Sequence, residues 1–123
     1  MDQKICLDSD ISIAIIKGLP VCDEFIRTWE EGEAVVSSLT VFELCLRDNN
    51  IEPVKDFLDN VEIIQFGGFE SMLAAELHKQ LKRKGKICQI NDVFIAATAI
   101  TNNCALATLN KKHFKNINGL KII

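Results

Sequence analysis

A chain of 123 residues, 48% hydrophobic and 25% charged, has the size and apolar content of one domain over residues 1–123 with one core. No apolar run reaches the roughly 18 residues of a membrane span, and the start MDQKICLDSD carries charge too early for a secretory leader, so a soluble cytoplasmic protein is expected. The net charge of −3 says little by itself, but its distribution is uneven. Residues 79–86 (KQLKRKGK) carry five positive charges and no negative one, and no acid follows Asp92.

In chain order, residues 5–7 read as a short apolar strand and 11–16 as a helix broken by Gly18 and Pro20. Residues 23–29 read as a helix with Phe25, Ile26 and Trp29 on one face. The β-branched run 34–37 (AVVS) is a strand, 41–47 a helix, and 53–58 a helix with Pro53 near its first turn. A third strand is expected over 61–66 (VEIIQF), followed by the longest helix, 69–84, with Met72, Leu73, Leu77 and Leu81 as its apolar stripe and Gly85 as its stop. Residues 92–101 are nearly all apolar, hence a buried helix, and short strands follow at 105–107 and 120–123. The five cysteines form no CxxC pair, and reduced, buried thiols are expected. The two histidines, His78 and His113, are too few and scattered to suggest a zinc site.

Strands alternating with helices imply an α/β fold, with a mainly parallel sheet of about five strands flanked by helices on both faces. In such sheets ligands bind beyond the carboxyl ends of the strands. Four sets of polar residues fall there: Asp8, Ser9 and Asp10 after the first strand; Glu43 in SSLTVFEL; Asp92 in INDVFIAATAI; Thr108 and Asn110 in ALATLNKKHF. Each has an ordinary structural explanation. Asp8 or Asp10 suits a helix cap, Thr40 and Glu43 fit a capping box, and Asn91 and Asp92 fit a helix start. Thr108 and Asn110 suit a turn. Taken together, several carboxylates in apolar surroundings repel one another, and a divalent cation relieves that repulsion. Mg²⁺ or Mn²⁺ takes oxygen ligands and needs no His or Cys, which points to phosphate-directed chemistry.

The segments KICLDSDISIAII, SSLTVFELCLR, INDVFIAATAI and ALATLNKKHFKNINGLKII resemble, in that order, the signature segments of PIN-domain ribonucleases, and the closing T-x-N-x-x-x-F…GL pattern looks most like VapC-type toxins of toxin–antitoxin pairs. The resemblance covers nearly the whole chain. It implies a PIN-like domain in which Asp8, Glu43, Asp92 and Asn110 are catalytic. Asp8, Asp92 and Glu43 would hold Mg²⁺ or Mn²⁺, with Ser9, Asp10 and Thr108 as secondary site positions. Asn110 stands where a fourth acid is expected and is neutral, so it contributes less to a second metal than Asp would. The implied reaction is metal-assisted hydrolysis of an RNA phosphodiester, leaving a 5′-phosphate and a 3′-hydroxyl, with a structured RNA such as tRNA or ribosomal RNA as the expected target. Lys82, Arg83, Lys84, Lys86, Lys111 and Lys112 are candidate RNA-backbone contacts; a solvated helix end explains 79–86 equally well. The resemblance also implies a homodimer and an inhibitory antitoxin, with Leu19, Phe25, Leu44 and Leu46 as groove candidates against an ordinary core role.

Three rivals exist. A haloacid-dehalogenase-type phosphohydrolase would need acids after Asp92, and a receiver domain would need an Asp where VEIIQFGGFE has Gly-Gly. A PIN-fold RNA-binding or scaffold module with a weakened site is the stronger one, kept alive by Asn110.

Overall fold

The computed structural model describes residues 3–20, 23, 27, 30, 31 and 33–123. Among the described residues, four parallel strands form one sheet in the order β3-β2-β1-β4: β1 (Lys4–Leu7), β2 (Ala34–Ser37), β3 (Glu62–Ile64) and β4 (Cys104–Ala107). Five helices with defined bounds connect them: α1 (Ser9–Lys17), α2 (Ser38–Leu44), α3 (Ile51–Asp59), α4 (Gly68–Arg83) and α5 (Ile90–Thr101). A short 3₁₀ turn, Lys111–His113, follows β4.

The strands are short and apolar because both sheet faces are covered. β2 and β4 are buried along their whole length. Alternate residues divide between two cores, as the strand period of two requires. Cys6, Val35 and Leu106 point to the face packed by α4 and α5, joined by Phe114 and Ile117. Leu7, Ala34, Val36 and Ala107 point to the face packed by α1 and α3, with Leu44 of α2 closing the layer. The small side chains Ala96, Ala97 and Ala99, all fully buried, let α5 lie close against the sheet.

Helices α1, α3 and α5 each start two residues earlier than expected, and four larger differences have a physical reason. α2 starts three residues earlier than expected because Ser37 is the cap: its Oγ accepts the Thr40 N–H at 3.2 Å. Glu43 therefore sits in the last turn of α2, not the first, and the Thr40–Glu43 capping box does not form. β3 ends at Ile64 because the chain turns away, the Phe66 N–H bonding to Ser38 Oγ at 3.2 Å and its ring packing tilted against Phe94 with centroids 4.6 Å apart. The expected last strand is reduced to one bridge, Leu106 to Ile122, so among the described residues the sheet has four strands rather than about five. On α4 the buried stripe is Ala74, Leu77 and Leu81, with Leu73 half-buried, while Met72 is 72% exposed. Met72 lies five residues before Leu77, about 140° away around the helix at 3.6 residues per turn.

α4 stops as expected. Gly85 takes φ +68°, the Lys86 N–H bonds Leu81 O at 2.9 Å, and the Gly85 N–H bonds Lys82 O at 3.1 Å, which is a Schellman closure. The expected helix over 23–29 is helical at Asp23 and Arg27; Cys22, Phe25, Ile26 and Trp29 lie outside the described residues. Among the described residues the cysteines are free, with Cys6 and Cys104 buried, Cys88 partly so, and Cys45 exposed against expectation. Leu44 is core, whereas Leu19 and Leu46 face outward. No helix among the described residues is long and apolar enough to cross a membrane.

Candidate active site

The strand order makes β1 the switch point: the chain leaves it toward β2 and returns on its other side as β4. At such a point the connections after the two central strands diverge and leave a crevice. Asp8 follows β1 and Thr108 follows β4, and the Asp8 N–H bonds Ala107 O at 2.9 Å, so the two strand ends are held in register.

Asp8 is the N-cap of α1, its Oδ1 accepting the Ser9 N–H at 2.8 Å. Its Oδ2 accepts the Thr108 hydroxyl at 2.8 Å. The same hydroxyl lies 3.3 Å from Asp10 Oδ2, and its oxygen accepts the Asn110 N–H at 3.0 Å. Asp10 is tied more heavily still. Its Oδ2 accepts the Leu109 N–H and the Asn110 side-chain amide, each at 3.0 Å, and its Oδ1 accepts the Ile11 N–H at 2.6 Å. Asp10 thus clamps the turn after β4 onto the start of α1, and the Asn110 amide is part of that clamp. Glu43 joins through Ser9, whose hydroxyl donates to Glu43 Oε2 at 3.1 Å. Asp92, in the first turn of α5, faces His113 Nδ1 at 3.5 Å.

These side chains surround one cavity of about 180 Å³, lined by Asp8, Ser9, Asp10, Glu43, Asp92 and Asn110 together with Gln89, Asn91, Ile95 and His113. Thr108 lies beneath it, buried, through its bonds to Asp8 and Asp10. The caps of α1 and α5, Asp8 and Gln89, both line the cavity, so two positive helix ends face it. Every acid singled out in the sequence is brought to this cavity. Of the basic residues, Lys111 and Lys112 lie in the exposed turn between cavity-lining Asn110 and His113. Lys82 and Lys86 line a separate cleft, Lys84 bonds Asn118 Oδ1 at 3.3 Å, and Arg83 is exposed in the last turn of α4.

His113, Gln89 and Asn91 are cavity residues that sequence reasoning missed or took for capping. His113 lies three positions after Asn110, and its N–H bonds Asn110 O at 3.0 Å, so the 3₁₀ turn folds it back over the site. That spacing was the available signal. Gln89 makes no side-chain capping bond and is left facing the cavity.

Burial first, and the neighbouring Asp10 charge second, push the Asp8 carboxyl up from 3.8 to about 6. The Thr108 and Ser9 bonds pull it partly back. Burial also raises Asp92, against the lowering effect of His113. Concentrated, desolvated carboxylate is what a hard cation neutralises. Among the described residues, no three His, Cys, Asp or Glu side chains gather closely enough to hold one ion directly. The donor set therefore fits a cation held by one or two carboxylates, Asp8 and Asp92 foremost, that keeps several of its waters. This is the common state of protein-bound Mg²⁺. At about 30 Å³ per water the cavity has room for that hydrated ion.

Comparison with known proteins agrees with this architecture. The PIN domain family matches residues 5–120. Ribonuclease VapC1 of Rickettsia felis is 32% identical over 133 residues, covering 97% of this chain and 94% of its own. The tRNA(fMet)-specific endonuclease VapC of Shigella flexneri is 22% identical over 125 residues, covering 96% and 95%. A chain of the VapBC2 complex of Rickettsia felis, bound to a promoter DNA fragment, superposes with a TM-score of 0.86 at 26% identity over 98% of both chains. The chain belongs to the PIN-domain family, in its VapC ribonuclease branch.

Proposed function

We propose that the protein is a metal-dependent endoribonuclease that hydrolyses phosphodiester bonds in structured RNA, tRNA being the first candidate, and that a cognate antitoxin restrains it. The observation that carries this reading is a single strand-end cavity lined by four carboxylates and faced by two helix N-termini. The name of the Shigella flexneri relative favours tRNA among structured RNAs.

In this reading Asp8 and Asp92 would hold Mg²⁺ or Mn²⁺, with Glu43 as a further carboxylate of the set. Such a cation, when bound, would supply activation of a water and neutralisation of the charge developing on the phosphate. Thr108 and Ser9 fix the Asp8 oxygens through their two hydrogen bonds, so the carboxylate has little rotamer freedom to lose on binding. Asp10 and Asn110 hold the post-β4 turn in place rather than binding the ion. The first-turn N–H groups of α1 and α5 favour an anion at the cavity mouth. Lys111 and Lys112 attract the RNA backbone from one side, and Lys82, Arg83, Lys84 and Lys86 from the other, giving affinity without sequence information.

Exposed Phe42, Leu46, Ile63, Phe69 and Met72 supply apolar surface for protein partners, an antitoxin and a second copy of the chain. A second reading, a PIN-fold RNA-binding or scaffold module with little activity, is favoured by one observation: among the described residues no three-carboxylate cage is preformed. The deciding experiment incubates antitoxin-free protein with total RNA in Mg²⁺ or Mn²⁺ against EDTA, with Asp92→Asn alongside. Metal-dependent cleavage that disappears in the variant supports the enzyme. No cleavage and no Mn²⁺ binding by folded protein supports the scaffold.

A further inference from the structure

A second cleft, of about 230 Å³, opens beside the acidic cavity and is lined by His78, Leu81, Lys82, Lys86, Ile87 and Cys88. The connection from α4 to α5 joins the two: Lys86, Ile87 and Cys88 line the cleft, and Gln89, Asn91 and Asp92 line the cavity. From Lys86 to Gln89 is at most about 10 Å of extended chain. Cys88 Sγ also donates to His113 O at 3.4 Å, fastening the floor of the cleft to a residue of the cavity wall.

Ile87 is 98% exposed, the most exposed large apolar side chain among the described residues. Its exposure is imposed by an ordered turn. Lys86 and Gly85 are held by the Schellman bonds to Leu81 and Lys82, and Cys88 is held to His113. Between hydrogen-bonded neighbours on both sides, a bulky aliphatic side chain stands out in water, a cost that a bound apolar face would remove. Around it the floor is apolar (Leu81 and Cys88), one wall carries the His78 ring, and the rim carries two cations, Lys82 and Lys86. No carboxylate is among these lining residues.

An apolar floor with a ring beside it and cations at its rim is the chemistry that receives an unstacked base on a phosphate backbone. The volume equals roughly seven or eight waters at about 30 Å³ each, the scale of one planar ring system. We propose that this cleft is a nucleobase subsite: it seats one unpaired base of the RNA against Ile87 and His78, close to the bond cut at the acidic cavity, while Lys82 and Lys86 meet the flanking phosphates. This rests on the ribonuclease reading. The subsite selects RNA in which the base at that position is unpaired.

The test uses the full chain. Cleavage of total RNA by the wild-type protein locates a cut bond. A short fluorescein-labelled RNA spanning that bond, and a series carrying one abasic ribose at each position in turn, are then titrated against the Asp92→Asn protein. One position near the cut should weaken binding about tenfold when abasic, within the range of base stacking. Ile87→Ala and His78→Ala, both surface changes, should weaken the intact RNA several-fold and abolish the extra penalty at that position. Lys82→Ala and Lys86→Ala should each lower the salt slope by about one and leave the abasic profile in place. An abasic penalty that persists in full in Ile87→Ala and His78→Ala overturns the subsite. So does unchanged RNA affinity in both, which would assign the cleft to a protein partner. Wild-type protein that neither cuts nor binds RNA with Mn²⁺ overturns the ribonuclease reading itself, and the subsite with it.

Discussion

Replacing Asp8 by Asn should stabilise the metal-free protein while disabling its site, and the size of the effect follows from the geometry. Asp8 is 6% exposed, and its carboxyl is pushed from 3.8 to about 6 by burial and by Asp10. A raised folded-state pKa means the fold binds the proton more tightly than the unfolded chain does. Below about pH 4 both states are protonated and Asp8 carries no penalty; between pH 4 and 6 the penalty grows; above pH 6 it is complete. About two pH units correspond to about 3 kcal/mol. Asn keeps the size and one acceptor oxygen but cannot accept from both Ser9 and Thr108, which returns about 1 kcal/mol. The net gain at pH 8 is about 2 kcal/mol, or about 8 °C in Tm for a domain of this size. Thermal melting of both proteins from pH 4 to pH 8 in EDTA measures it. The variant should melt slightly below the wild type at pH 4, where the lost hydrogen bond dominates, and the difference should reverse sign between pH 4 and 6 and reach its full size above pH 6. Mn²⁺ should then close the gap by stabilising the wild type alone, by about 2.7 kcal/mol at a hundredfold excess over Kd. A gap that does not change with pH, or an Asp8→Asn variant less stable than wild type at pH 8, would refute the view that Asp8 is an electrostatic liability without a cation.

The same proton linkage predicts that Mn²⁺ affinity of the wild type, by calorimetry, falls as pH drops below about 6, since the ion must displace the Asp8 proton. Flat affinity from pH 5 to 8 would remove Asp8 from the ligand set. Thr108→Val deletes the hydroxyl bonded to Asp8 at 2.8 Å and within 3.3 Å of Asp10, and should cost about 2 kcal/mol in urea unfolding at pH 7. Asn110→Asp turns the donor facing Asp10 Oδ2 at 3.0 Å into a further carboxylate. It should destabilise the metal-free protein by about 1 to 2 kcal/mol at pH 7 and tighten Mn²⁺ binding. Equal stability of that variant at pH 4 and pH 7 would count against the clamp.

Local pattern was enough where local forces decide. AVVS reads as a strand with the same bounds at which it folds as one, and Gly85 ends α4 because a left-handed residue closes that turn. Pattern failed where a partner far along the chain decides. SSLT offers three hydroxyls as caps, and Ser37 takes the role because the strand ends there. Met72 reads as core only when the stripe is started out of phase with Ala74, Leu77 and Leu81. The acids were legible because a parallel sheet sends each post-strand residue to the same rim. His113 carried only its spacing from Asn110 as a signal, because its partner is Asp92, 21 residues earlier in the chain and only 3.5 Å away across the cavity. The role of the Asn110 amide was not legible either: it is committed to Asp10, and the two are 100 residues apart.

The ordinary and the functional explanations of Asp8 are not alternatives. In a parallel α/β sheet the end of one strand is the start of the next helix, so the capping position and the ligand position are the same residue. Asp8 caps α1 with one oxygen and faces Thr108 with the other. A preference for Asp at such a place therefore cannot tell a cap from a site. What tells them apart is the surplus. α1 needs one acid at its start, yet Asp10, Glu43 and Asp92 come to the same cavity from three further positions, and α5 begins without any side-chain cap from Gln89. Folding would be easier with fewer carboxylates there, as the raised pKa of Asp8 records. Their presence in one small space is what the proposed cation would explain: folding does not require such an ion, and phosphate chemistry does.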